Sequence, residues 1–170
     1  MNPMREVRVD KVTLNIGAGE AGQKLENAKV LLDRITGRKP VTTNARVRNP
    51  TFRIKRGDPI GAKVTLRGKI ALEVLGRALE AVGRKIKGSS FDAQGNFAFG
   101  IREYIDFPGI KYDPKLGIFG FDVCVTLKRP GERVRRRRRV RAERIGTSHV
   151  VTREEALEFA RSKLGAEIVE

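Results

Sequence analysis

Apolar and polar side chains alternate over two stretches between residues 36 and 68, and a period of two is typical of β-strands. In the first stretch, one side carries Val41, Thr43, Ala45 and Val47, and the other side carries Thr42, Asn44, Arg46 and Arg48. In the second stretch, Ala62, Val64 and Leu66 alternate with Lys63, Thr65 and Arg67. We therefore predict two strands of an antiparallel sheet that has one packed face and one face in water.

Periodic segments on both sides of this region complete the predicted architecture. A strand is predicted from Arg5 to Ile16, with a bend or bulge at Asp10–Lys11 and with Lys11, Thr13 and Asn15 on its polar side. Two more strands open at Phe97 and Phe119. Apolar stripes predict two helices. The first ends at Gly37, and its stripe comprises Leu25, Ala28, Leu32 and Ile35. The second covers residues 69–85, and its stripe comprises Ile70, Val74, Ala78, Leu79 and Val82. The predicted fold class is α+β: an antiparallel sheet with helices packed on one face, a basic C-terminal arm and a short C-terminal helix.

The charge of the chain is concentrated in two segments. The net charge is +16. Residues 36–68 hold nine Lys or Arg against one acid, Asp58, and residues 129–144 hold nine arginines against Glu132 and Glu143. Together these two segments account for nearly all of the excess. A solvated basic face is the alternative for any single strand, but the same pattern on two neighbouring strands indicates a surface that binds RNA.

Other residue types exclude several classes of protein. Cys124 is the only cysteine and His149 the only histidine, which argues against a disulfide framework, a zinc site or a histidine-based triad. We therefore expect neither a metal nor a cofactor. No apolar run approaches the roughly 20 residues of a membrane span, and the first ten residues lack the apolar core of a signal peptide. We expect a cytoplasmic protein that does not bind membranes and is not an enzyme.

One motif favours a different function. The sequence GAGEAG, residues 17–22, matches G-x-G-x-x-G between a predicted strand and a predicted helix, as in dinucleotide-binding turns. It would allow an NADP-dependent reductase with Arg38 near the 2′-phosphate. However, Arg38 and Lys39 stand where that motif expects an acid. A DNA-binding module or a generic basic chaperone is the third class that the charge pattern allows.

The C-terminal part changes composition twice. Residues 135–139 are five consecutive arginines, whose mutual repulsion predicts a segment that does not pack against protein and that RNA orders. Thr152 and Glu155 form a predicted capping box that opens a helix with Ala156, Leu157, Ala160 and Leu164. This tail is acidic, so we expect it to dock on protein. The predicted organisation is an RNA-binding domain at residues 1–128, an arginine-rich arm at 129–149 and a helical tail at 150–170.

Several motifs in order resemble one known family. LNIGAGEA, TGRKPVTTNAR, FRIKRGDPIGAKVTLRG, FDAQGNFAFGI and FPGIKYD are similar to segments of the ribosomal protein L5 family, over roughly Val7 to Leu127. The resemblance implies a protein of the large ribosomal subunit that binds 5S rRNA in the central protuberance. It also implies contacts with the small-subunit head and neighbouring ribosomal proteins, and proximity to the P-site tRNA. The arm and the tail depart from the shorter bacterial pattern and look archaeal-like.

These observations predict three groups of site residues. The RNA-binding group on and around the strands comprises Lys11, Thr13, Asn15, Arg38, Lys39, Thr42, Asn44, Arg46, Arg48, Arg53, Lys63, Thr65 and Arg67. The resemblance places a tRNA contact in the loop of residues 85–96, with Lys85, Lys87, Ser89, Ser90, Gln94 and Asn96. The arm is predicted to enter grooves of the large-subunit rRNA with Arg133, Arg135, Arg136, Arg137, Arg138, Arg139, Arg141 and Arg144.

Overall fold

A computed structural model describes residues 2–19, 22–138 and 140–169. Its strands are β1 (Arg8–Gly17), β2 (Val41–Asn44), β3 (Pro59–Leu66), β4 (Lys85–Lys87), β5 (Phe97–Ile101), β6 (Phe121–Lys128) and β7 (Glu167–Val169). Its α-helices are α1 (Gln23–Thr36), α2 (Gly68–Ala81), α3 (Arg133–Arg136) and α4 (Arg153–Leu164). Five strands form one sheet in the order β2-β3-β1-β6-β5, and every neighbouring pair is antiparallel. The predicted α+β class is confirmed.

The core lies between this sheet and the two long helices. Burial alternates along β1, where Val12, Leu14 and Ile16 are at most 1% exposed and the intervening residues are half-buried. The predicted stripes of both helices belong to the same apolar cluster as these residues. Because each fully buried aliphatic side chain contributes about 1.5–3 kcal/mol, this layer is the main source of stability. The opposite side of the sheet, which we call the open face, is left for polar side chains.

Helix ends follow the backbone conformations that the sequence allows. Gly37 ends α1 in the left-handed region, with φ of +60°, as its position predicts. The second helix is shorter than predicted and stops at Ala81. Gly83 and Arg84 both take positive φ, so the helix cannot continue, and residues 85–87 form β4 instead.

The C-terminal tail docks on the rest of the chain. The predicted capping box is present, since Thr152 and Glu155 each accept a backbone hydrogen bond from the other at the start of α4. Ala156 and Ala160 are fully buried in the main apolar cluster. Beyond the helix, β7 pairs in parallel with β4, and Ile168 lies opposite Ile86. This three-residue strand is too short to show a period, so the sequence pattern did not predict it.

The predicted phase and length of the first alternating stretch are wrong. β2 ends at Asn44, so Arg46 and Arg48 lie in the connection to β3 and not on a strand. Thr42 pairs with buried Ala62 and therefore belongs to the helix side of the sheet, whereas Thr43 pairs with Gly61 on the open face. β2 is an edge strand with threonine on both sides, so its phase is set by pairing with β3 and not by its own weak amphipathicity.

Val41 and Val47, predicted to face the core, are both exposed; Val41 pairs with Lys63 on the open face. Asn44 is exposed after a register shift, opposite Pro59, so its predicted accessibility is confirmed. β2 lies at the edge of the sheet, and its neighbour β3 covers the core. A valine exposed on β2 is therefore tolerated.

Candidate nucleic-acid interface

Polar side chains from the two central strands meet on the open face. Thr13 lies directly opposite Thr65, with their hydroxyl oxygens 3.5 Å apart, and Asn15 lies opposite Lys63. Lys11 is on the same side of β1, opposite Thr126 of β6. These residues are half-buried or exposed, so the predicted shared face for β1 and β3 is confirmed. The arrangement presents short hydroxyl and amide groups beside ammonium groups on one face of the sheet.

A cleft of about 590 Å³ follows the edge of this surface, and we call it the strand-edge cleft. Five residues of the predicted RNA-binding group line this cleft: Arg38, Lys39, Lys63, Thr65 and Arg67. Arg38 and Lys39 reach it from the connection between α1 and β2, so two segments that are distant in sequence supply one basic wall. A phosphodiester backbone is the kind of ligand that such a wall suits.

The connection between β2 and β3 is a structured hairpin and not a strand. Asn49 and Ile54 form an isolated antiparallel bridge, and the Asn49 side chain accepts hydrogen bonds from the backbone N–H groups of Thr51 and Phe52. At the tip, the Phe52 residue is 71% exposed and Arg53 takes a positive φ. The predicted residues Arg46, Arg48 and Arg53 are exposed on this hairpin. An exposed aromatic ring among arginines is suited to base stacking, a feature that strand periodicity did not indicate.

A second basic cleft, of about 670 Å³, lies where the arm passes over β1 and β6, and we call it the arm cleft. Its cationic lining comprises Lys11, Lys128, Arg129, Arg135, Arg136 and Arg144. Gln94 and Asn96 of the predicted tRNA loop also line it. Lys85 and Lys87 are instead exposed on β4, and Ser89 and Ser90 lie in a short 3-10 turn. Two of the six predicted loop residues therefore line the arm cleft, and the other four lie outside its lining.

The arm packs against protein, contrary to prediction. Arg136 forms ion pairs with Glu132 at 3.0 Å and with Asp10 at 3.3 Å, and the guanidinium of Arg137 lies 4.0 Å from Glu143. These acids offset part of the mutual repulsion among the consecutive arginines. Arg133, Arg135, Arg138, Arg141 and Arg144 are exposed, while Arg139 lies outside the described residues.

Asp10 is the acid that sequence analysis missed as a functional candidate. It sits at the predicted bulge, where the register of β1 against β6 shifts, and its side chain is only 1% exposed. Its carboxylate accepts hydrogen bonds from Arg67, at 2.8 Å, from Lys128 and from Arg136. Burial by itself would raise the pKa of Asp10, but the hydrogen bond and charge of Lys128 and the charges of both arginines outweigh it and lower the pKa below its ordinary value. Asp10 is therefore a carboxylate at neutral pH.

Two matches with protein families cover almost the whole chain. Residues 2–55 match the family described as ribosomal protein L5, and residues 59–159 match the family described as the C-terminus of these ribosomal proteins. The chain belongs to the ribosomal protein L5 family. The recognition made from the sequence motifs is thereby confirmed.

Relatives named large ribosomal subunit protein uL5 align along the full chain. The protein of Sulfurisphaera tokodaii is 52% identical over 170 residues, covering 100% of this chain and 96% of its own length. That of Nanoarchaeum equitans is 52% identical over 169 residues, covering 99% of both chains, and that of Methanococcus maripaludis is 48% identical over 170 residues, covering 98% and 93%. The arm and the tail thus fall within the alignment to these archaeal L5-family proteins.

The glycine-rich segment of this L5-family chain does not stand in a dinucleotide-binding unit. A Rossmann unit needs β1 and the next strand to be direct parallel neighbours, but here β3 lies between β1 and β2. Glu20 and Ala21 of the motif lie outside the described residues. Within the part of the chain that the structure describes, no group of three acidic, histidine or cysteine side chains is placed to hold a metal ion. None of the described helices is long and apolar enough to cross a membrane.

Proposed function

We propose that this chain is a non-catalytic, structural component of the large ribosomal subunit in the cytoplasm, where it binds 5S rRNA and holds it in the central protuberance. The observation that carries the proposal is the open face, on which Thr13 and Asn15 lie in register with Thr65 and Lys63 beside the strand-edge cleft. The name of the archaeal relatives, large ribosomal subunit protein uL5, supports the assignment to the subunit.

The chemistry of the open face suits a folded RNA. Threonine and asparagine side chains are short, so an RNA backbone approaches the sheet closely and its 2′-hydroxyls exchange hydrogen bonds with them. Lysine and arginine in the strand-edge cleft neutralise phosphates and release counterions. This combination reads the shape of the RNA and depends little on base edges. Phe52 adds one exposed ring on which an unpaired base stacks.

Two further surfaces have proposed partners. The loop of residues 85–96 is proposed to approach the P-site tRNA, with the small-subunit head and other proteins of the central protuberance nearby. The tail supports this loop, since Arg153 donates a hydrogen bond to the Gly88 carbonyl at 2.9 Å and β7 pairs with β4. The exposed arginines of the arm are proposed to contact the large-subunit rRNA, where they add attraction without sequence selectivity.

A competition experiment tests the proposed function. Labelled 5S rRNA is bound by the full chain at fixed ionic strength, and either unlabelled 5S rRNA or duplex DNA of equal phosphate concentration is added. We expect 5S rRNA to compete at least about tenfold better, because the 2′-hydroxyls and the A-form groove are absent from DNA. Equal competition would favour a generic basic module. Crosslinking in cells, followed by identification of the bound RNA, checks the same assignment on the assembled ribosome.

A further inference from the structure

A single buried carboxylate connects the two basic clefts. Arg67 lines the strand-edge cleft, whereas Lys128 and Arg136 line the arm cleft. All three donate to the carboxylate of Asp10. Arg67 lies between β3 and α2, Lys128 ends β6 and Arg136 ends α3, so the carboxylate joins segments that are 57, 118 and 126 residues away in sequence.

Asp10 and its three cationic partners differ strongly in their exposure to solvent. The Asp10 side chain is 1% exposed, whereas Arg67, Lys128 and Arg136 are 56%, 37% and 50% exposed. The acid therefore lies beneath its partners and does not face an approaching phosphate. A guanidinium has five N–H donors in a fixed fork, and Asp10 occupies only part of them. Donors of both arginines remain on the solvent side.

Three cations held together repel one another. Asp10 offsets one positive charge, and Glu132 offsets part of the charge of Arg136 from within the arm, without linking the arm to the sheet. Without Asp10, repulsion would move Arg136 and the arm away from Arg67, since neither side chain is buried. With Asp10, the three cations keep a fixed separation before any RNA arrives. A preorganised set of donors loses less conformational entropy on binding than a mobile set.

We propose that Asp10 is a positioning residue that joins the strand-edge cleft and the arm cleft into one continuous track for an RNA backbone. This inference rests on the proposed RNA-binding function and specifies how its two basic surfaces act together. Removing an acid from a basic protein ordinarily tightens its binding to RNA, whereas removing this acid weakens it.

The test compares two aspartates of the same sheet. Asp122 of β6 lies opposite Asn15 on the open face and is exposed. Asp10→Asn and Asp122→Asn each remove one negative charge, and binding is measured with 5S rRNA and with an unrelated RNA duplex at the same salt concentration. We expect D122N to bind both RNAs about twofold more tightly at low salt. We expect D10N to bind both about threefold to tenfold more weakly, because several side chains must be ordered on binding.

The two probes separate this inference from the proposed function. If wild-type protein does not prefer 5S rRNA but D10N still weakens binding to both RNAs, the proposed function fails and the inference stands. If wild-type protein prefers 5S rRNA but D10N tightens binding as D122N does, the inference is overturned and the function stands.

A second pair of variants keeps the test decisive if D10N does not fold. Arg136→Ala removes a cation that Asp10 holds, and Arg135→Ala removes its exposed neighbour in α3. We expect R136A to weaken RNA binding more than R135A, and we expect faster amide hydrogen exchange over residues 129–144 in R136A alone. Equal losses and equal exchange in the two variants would also overturn the proposal.

Discussion

At the scale of single residues, the geometry of the open face depends on Gly61, where there is no room for a side chain. A Cβ on Gly61 would lie 2.6 Å from the Ile16 carbonyl oxygen and 2.8 Å from the Thr43 hydroxyl. The absence of that carbon lets β1, β3 and the Thr43 side chain meet at one point of the open face. Backbone atoms form one side of the contact, so they cannot move away as a flexible side chain would.

We therefore predict that Gly61→Ala lowers the free energy of unfolding by about 1–3 kcal/mol, as overpacking in a rigid site does. The matched control is Gly76→Ala in the middle of α2, where no atom beyond the adjacent residues and the helix's own backbone lies within 4 Å of the added carbon. The control should raise the free energy of unfolding by about 0.5–1 kcal/mol, because alanine is the better helix former. Urea denaturation of both variants measures the difference. A stable G61A protein would show that the strands can separate without cost.

Among the elements, the tail and the loop of residues 85–96 form one structural unit. β4 and β7 share three paired positions, and the Glu167 N–H donates to the Arg84 carbonyl at 2.7 Å. Gly95 takes a φ of +74° and packs against Val151, to which an added Cβ would come within 2.6 Å. The acidic tail thus contacts the loop from two sides.

Removal of residues 165–170 should loosen the loop without affecting the open face. We expect faster amide hydrogen exchange at residues 85–96, because β4 then has no paired partner among the described strands. Exchange at Thr13 and Thr65 should stay unchanged, and affinity for isolated 5S rRNA should change less than about twofold. Hydrogen exchange followed by mass spectrometry measures both the exchange in the loop and the exchange at Thr13 and Thr65. An equal rise on β1 and β3 would mean that the tail stabilises the whole domain.

Across the whole molecule, positive charge is divided between a surface built on strands and an arm outside the sheet. The open face and the strand-edge cleft together combine cations with hydroxyl groups and the Asn15 amide, whereas the exposed part of the arm offers arginines. Long-range attraction falls with salt, and contacts to 2′-hydroxyls depend on the form of the RNA. The two surfaces should therefore contribute differently to affinity and to selectivity.

Replacement of Arg133, Arg135, Arg138, Arg141 and Arg144 by serine should weaken RNA binding without changing its selectivity. These five side chains are exposed, and the ion pairs of Arg136 with Asp10 and Glu132 remain. We expect the slope of log affinity against log salt to fall by about 0.9 for each phosphate that the arm no longer neutralises. The ratio of affinities for 5S rRNA and an unrelated duplex should stay the same. The same affinity ratio is measured for the Lys63→Ala variant as a comparison. If the arm variant alone lost its preference for 5S rRNA over the unrelated duplex, selectivity would be assigned to the arm.

Local sequence patterns were sufficient to predict part of the secondary structure of this molecule. The alternation of β1 and β3, the bulge near Asp10, the stripe and end of α1 and the capping box of α4 are all confirmed. Each depends on residues a few positions apart, so the sequence alone carries the signal. The motifs that identify the family are local in the same sense, as is the concentration of charge in two segments.

Tertiary structure decided what depends on partners far along the chain. The phase of β2 follows from pairing with β3, and β7 exists because β4 lies beside it. The three cations around Asp10 come from 57 to 126 residues away, and no sequence period connects them. The sequence by itself determined β1, β3, α1 and the start of α4, and where the charge lies. Only the folded chain decided which charges lie together, because electrostatic attraction acts on distance in space and not on distance in sequence.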